Sequence, residues 1–154
     1  MKNFTDANLA NAALKPKAVS LGFTNVYVNT PNLEAADVDA LIKQCKRKNS
    51  PQLVNPLSAL DFYKSAALIE VCREQSKCFE IPLSYILKSD NQSLMFFQLR
   101  IFLKNCLRRR VPFCFSTRAH NEFELRSPRE LIAIGQTLGL TYEQAAASLR
   151  PKLE

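Results

Sequence analysis

The sequence contains a single histidine, His120, in 154 residues. A metal cluster that activates water draws on several histidines and carboxylates. Metal-dependent catalysis is therefore not expected of this chain, and no catalytic residue or metal ligand is assigned. Glycine is equally scarce, with three in the whole chain and none in a glycine-rich phosphate loop. A nucleotide-cradling enzyme is disfavoured, and no cofactor is expected. The cysteines Cys45, Cys72, Cys78, Cys106 and Cys114 are odd in number and show no CxxC or Cys/His ligand spacing. They read as small buried apolar residues in a reducing, cytoplasmic compartment. No apolar run approaches the roughly 20 residues of a membrane span, and none has the character of a secretory leader. A soluble intracellular protein, away from membranes, is expected.

What the chain has in quantity is apolar side chain and positive charge. Hydrophobic residues make up 47% of it, enough to bury a core, and the length suits one domain over residues 1–154. Lys and Arg number 21 against 14 Asp and Glu, and the net charge of +7 favours a polyanion such as RNA as partner. Short β-rich runs recur at 3–6, 25–29, 52–55, 77–81 and 111–117, each followed by a segment of helical period. This alternation predicts an α/β fold of repeated βα units with a mostly parallel sheet, because connections of this length join parallel neighbours through right-handed crossovers. Five strands are too few for a closed eight-stranded barrel. An open sheet, a partial barrel or further short strands remain open.

Helix boundaries follow from capping chemistry. In 33–48 the apolar Val38, Leu41, Ile42 and Cys45 fall on one face, with Glu34, Asp37 and Asp39 early and Lys43, Lys46, Arg47 and Lys48 late. That polarity complements the helix dipole. Ser58 to Asp61, Ser89 to Gln92 and Thr141 to Gln144 have capping-box spacing or its acidic variant and predict helix starts before Leu60, Leu94 and Ala145. In Ser127-Pro128-Arg129-Glu130 the serine caps, the proline takes the first helical position and Glu130 reaches back to the cap.

Two basic groups stand out. The helix 93–110 sets Arg100, Lys104 and Arg108 four residues apart, opposite Met95, Leu99, Phe102, Leu103 and Cys106, and ends in Arg108-Arg109-Arg110. The stripe is a solvated face or a phosphate contact, and the terminal run concentrates potential while also suiting the helix C-terminus. Leu94, Phe97 and Ile101 lie outside the main apolar arc, as core on a second side or as a partner surface. The second group is Arg118, His120, Arg126 and Arg129, between the last strand and the next helix, at the edge where parallel α/β folds hold their functional loops. Arg126 is either a phosphate contact or the partner of Glu122 or Glu124. Phe113 and Phe115 read as core residues rather than a base-stacking platform. Asp6 and Glu80, at strand positions, read as buried carboxylates that satisfy backbone or arginine donors, and no chemistry is assigned to them or to Glu70.

The segments KNFTDANLANAALKPKAVSLGFTNVYVN (residues 2–29), KCFEIPLSYIL (77–87) and PFCFSTRAHNEFELRSPRELIAIGQTLGL (112–140) resemble the archaeal RNase P protein component 3 family, the p30 type. The resemblance rests on an aspartate ending the first strand, a Phe-Glu-Ile strand before a small polar turn, and a Ser/Ala-rich strand end followed by Arg-Ser-Pro opening a helix. Arg126 matches the arginine of that motif. The second segment continues through the helix ending in Arg108-Arg109-Arg110, and together the resemblance covers roughly two thirds of the chain. It implies a TIM-like barrel related to PHP phosphoesterases, serving as an RNA-associated scaffold in the ribonucleoprotein that trims the 5′ end of precursor tRNA. Between Lys48 and Asp61 the chain lacks a segment that longer relatives possess, which implies a reduced or incomplete barrel. The implied partners are RNase P RNA with precursor tRNA and the RRM-like RNase P protein component 2, as a heterotetramer with two copies of each. The resemblance and the charge together make Arg100, Lys104, Arg108, Arg109, Arg110, Arg118, His120, Arg126 and Arg129 the expected RNA-binding set. The alternatives are a stand-alone α/β phosphoesterase-like enzyme and an interaction domain that does not touch RNA.

Overall fold

The structure, a computed structural model, describes residues 3–153. Met1, Lys2 and Glu154 belong to the expected 1–154 domain, and Lys2 opens the first resembling segment; all three lie outside the described residues. The chain runs β1 (Thr5–Leu9), α1 (Lys15–Ser20), β2 (Asn25–Val28), β3 (Asn32–Leu33), α2 (Val38–Cys45), β4 (Leu53–Val54), α3 (Ala66–Glu74), β5 (Cys78–Pro82), α4 (Leu83–Leu87), α5 (Gln92–Arg109), β6 (Phe113–Ser116), α6 (Pro128–Thr137) and α7 (Tyr142–Ser148).

All strand ladders are parallel, β1 with β2 and β3-β4-β5-β6 in chain order. The two sheets meet where the chain leaves β6, the Arg118 amide donating to the carbonyl of Asn8 within β1 at 2.9 Å and the Asn11 amide, just past β1, to the Ala119 carbonyl at 3.2 Å. The spatial order of the strands is thus their chain order, curling round as in a (β/α) barrel. Among the described residues no ladder joins β2 to β3. Instead the Asn8 side chain of β1 holds the link between β2 and β3, donating to the Thr30 carbonyl and accepting from the Thr30 amide, both at 3.0 Å. This is a reduced, incomplete TIM-like barrel of parallel βα units.

The core follows from the strands' composition. Every residue of β1 and β5 is buried, as expected of strands covered on both faces. Phe102 of α5 meets Phe79 of β5 edge-to-face at 4.8 Å and Phe62 at 5.3 Å, which ties the longest helix to the sheet. All five cysteines are buried and unpaired; Cys45 and Cys72, 3.9 Å apart, mark the packing of α2 on α3. Phe115 is buried, and the half-buried Phe113 packs against the same core.

Several boundaries differ from expectation, each for a local reason. The first strand extends to Leu9, so Asp6 sits within it rather than at its end. Leu33 pairs with Val54 as part of β3, and α2 starts only at Val38, where the Asp37 carboxylate accepts from the Ala40 amide at 2.8 Å. Ser58 does not cap a helix, because its hydroxyl donates to the Asn55 carbonyl and accepts from the Ala35 amide; Ser65 caps α3. Asn91 rather than Ser89 caps α5. Both remaining capping boxes form, Ser127 with Glu130 and Thr141 with Gln144. Among the described residues no helix is long and apolar enough to cross a membrane.

Candidate nucleic-acid interface

Parallel strands deliver their C-terminal ends to one mouth, and the side chains there form a connected polar network. Glu80, fully buried on β5, accepts from Ser116 Oγ at 2.6 Å and from Asn32 Nδ2 at 2.8 Å, with Arg118 Nε 3.8 Å away. Glu34 Oε1 accepts from Arg118, from Asn55 Nδ2 and from the Tyr85 hydroxyl. Partial burial pushes the Glu34 carboxyl up, but the donors Arg118, Asn55 and Tyr85 outweigh it and hold the group below its ordinary value. Arg118 turns through a left-handed φ of +43° where its amide joins β6 to β1, and its guanidinium lies 5.8 Å from the Tyr85 ring.

Asp6 occupies the β1–β6 seam. Its carboxylate accepts from the Thr117 hydroxyl at 2.5 Å, the Thr117 amide at 3.0 Å and the Asn8 amide at 3.3 Å. Burial still pushes its carboxyl from the ordinary 3.8 up to about 6, the hydrogen bonds opposing and nearby Glu80 assisting. Asp6 and Glu80 therefore satisfy strand and loop donors. Among the described residues no three His, Cys, Asp or Glu are placed to hold a metal ion.

A cavity of about 480 Å³ opens at this mouth, lined among others by Asn8, Asn32, Tyr85, Arg118 and His120. Basic side chains at this mouth face carboxylates. Arg118 meets Glu34 and Glu80, while Lys88 and His120 meet Glu124 at 3.2 and 3.4 Å. Burial raises the Glu124 carboxyl, but the His120 amide and Lys88 together bring it below its ordinary value.

The nine expected RNA contacts do not form one patch. Arg118 and His120 share the mouth. Arg126 pairs with neither Glu122 nor Glu124; its guanidinium donates to the Phe123 and Leu125 carbonyls, both at 2.7 Å, and so folds its own loop. Arg129 is exposed in the first turn of α6. On α5 the stripe faces outward as expected, but Arg100 donates twice to the Thr137 carbonyl, at 3.1 and 2.9 Å, and closes the C-terminus of α6. Lys104, Arg108 and Arg110 are exposed, and Arg109 pairs with Glu70 at 3.5 Å. Beside the stripe Leu94 and Phe97 are 48% and 56% exposed, an apolar strip on the outer face of α5. The partners of Arg118 were not legible in sequence. Glu34 lies 84 positions away and reads as a helix-start residue until β3 forms.

The family model of RNase P subunit p30 matches residues 39–153. Among solved structures, a chain of the cryo-EM structure of archaeal ribonuclease P with mature tRNA is similar at a TM-score of 0.56 and 16% identity, over 97% of this chain and 78% of that one. This likeness shows a shared fold. No curated protein matches the chain. The matched span holds Glu80, all of α5 and the Arg-Ser-Pro opening of α6, and the chain belongs to the RNase P subunit p30 family.

Proposed function

We propose that this ribonuclease P subunit supplies no reactive group and instead binds and stabilises the catalytic RNA that matures the 5′ end of precursor tRNA. The observation that carries this reading is the mouth. In barrels of this type the strand ends hold the reactive groups, and here Arg118, Lys88 and His120 each meet Glu34, Glu80 or Glu124. A network satisfied from within is a scaffold's interior. Of the cations expected to meet RNA, the geometry favours Lys104, Arg108, Arg110 and Arg129, which are exposed and form no ion pair among the described residues. The apolar strip of Leu94 and Phe97 suits a protein partner, for which we propose the RRM-like component 2 in a cytoplasmic heterotetramer.

The test is reconstitution of 5′ cleavage of a precursor tRNA from the RNA and protein subunits, with and without this chain, over a salt series. Addition of the chain should raise activity, and the gain should shrink steeply with salt as counterion release weakens the phosphate contacts. Cleavage by the purified chain free of RNA would instead support the stand-alone phosphoesterase-like reading. Stimulation indifferent to salt would support a domain that does not touch RNA.

A further inference from the structure

The charge of this chain is divided between the two ends of the barrel. At the mouth Arg118 faces Glu34 and Glu80 and Lys88 faces Glu124, whereas other loops concentrate cations without acids. Three stretches, 43–52, 104–112 and 149–153, carry ten of the 21 Lys and Arg and none of the 14 Asp and Glu. Parallel topology sends all three to the opposite end, where helices finish and strands begin. Direct bonds fix this placement. Lys77 Nζ donates to the Ser50 and Pro51 carbonyls at 3.0 and 2.9 Å. The Cys78 amide donates to the Gln52 carbonyl and the Phe79 amide to the Pro112 carbonyl, both at 3.0 Å. Gln52 Nε2 reaches the Lys152 carbonyl at 3.4 Å, and Leu153 packs on Ala7, Leu53, Cys78 and Cys114 beneath the sheet. Neighbouring strands are about 4.8 Å apart, so the loops entering β4 and β6 lie within about one Debye length and their fields add.

Helix dipoles account for cations in a last turn. They do not account for Arg47 and Lys48 beyond the end of α2, for Arg110 beyond α5, or for Lys152 beyond α7, all of them exposed; Arg150 instead donates to the Ala146 carbonyl at 3.2 Å and serves the end of α7. Arg110 also holds a left-handed φ of +58°, where glycine would be the more stable residue. A long cation kept there at a cost to the fold points to a ligand. The three stretches contain no aromatic residue on which unpaired bases could stack. From these observations, and resting on the ribonuclease P subunit reading, we propose that the strand-start end of the barrel is a docking face for the sugar-phosphate backbone of double-stranded RNA, with Lys46, Arg47, Lys48, Arg108, Arg110 and Lys152 as its contacts. It reads charge and A-form shape rather than sequence.

The test measures binding of the full chain to a generic RNA hairpin and to an unstructured single strand by fluorescence anisotropy over a salt series. The triple variant Lys46→Ala/Arg47→Ala/Lys48→Ala should weaken hairpin binding about tenfold or more and lower the salt slope by roughly 0.9 for each phosphate no longer neutralised. Arg110→Gly should weaken binding several-fold while raising the melting temperature, a combination that a structural role for Arg110 does not give. Lys15→Ala/Lys17→Ala, exposed at the start of α1 by the mouth, should stay within about twofold of wild type. Hairpin affinity unchanged in the triple and Arg110→Gly variants, or a preference for the single strand, would overturn the proposal. If those variants also stimulate reconstituted ribonuclease P fully, the docking face alone fails; if the wild-type chain neither binds hairpin nor stimulates cleavage, the subunit reading fails with it.

Discussion

Replacing Asp6 by asparagine tests whether the mouth is a structural interior. The Asp6 carboxyl is pushed by burial from 3.8 to about 6, so the folded protein takes up a proton there more readily than the unfolded chain does. The stabilisation this brings is complete below pH 3.8 and is lost as pH rises through about 6. At about 1.4 kcal/mol per pH unit, the charged form at neutral pH costs about 3 kcal/mol. Of that, about 1 kcal/mol is already lost by about pH 4.5 and about 2 more by about pH 7.5. Asparagine keeps an acceptor for the Thr117 amide and offers the Thr117 hydroxyl a donor, with no charge to bury. The stability of Asp6→Asn relative to wild type should therefore improve by about 2 kcal/mol between about pH 4.5 and about pH 7.5, whatever its offset at either. Urea denaturation of both proteins at the two pH values measures this difference, and other titrating groups such as Glu34 and Glu124 largely cancel in the comparison. A stability difference between the two proteins that does not move with pH would refute the burial argument. A difference of opposite sign would mean that the carboxylate is held charged by a cation the geometry does not contain.

Two further outcomes follow from packing. Arg100→Ala removes both donors to the Thr137 carbonyl at the end of α6 and should lower stability by roughly 0.5 to 1 kcal/mol in urea denaturation, with hairpin affinity unchanged, because Arg100 is held by the protein. Gly135→Ala would place a β-carbon 2.9 Å from that of Ala145 and 3.4 Å from Leu140 Cδ1 and Phe115 Cε2. It should cost roughly 1 to 3 kcal/mol, read as a lower urea midpoint at unchanged denaturant slope.

The sequence by itself determined the parts of this protein that are local. Side-chain period and cap chemistry, as in Ser127 with Glu130 or Thr141 with Gln144, set helices whose signals lie within a few residues of one another. Alternating βα segments set the parallel sheet, since connections of that length allow little else. The single histidine and the surplus of Lys and Arg bounded the chemistry before any fold was known. The family resemblance was legible in the order and spacing of motifs such as the Phe-Glu-Ile strand and Arg-Ser-Pro. Tertiary structure alone decided the rest. β3 and β4 are two-residue strands whose sequence carries no period, and pairing with neighbours is what makes them strands. The partners of Arg118 and Arg100 lie 84 and 37 positions away, so whether each faces RNA, a carboxylate or a helix end is set by chain closure. The division of charge between the barrel's ends arises in the same way. Lys46, Arg108 and Lys152 are far apart in sequence, and parallel strands put all their starting ends on one side, where separate loops become one field.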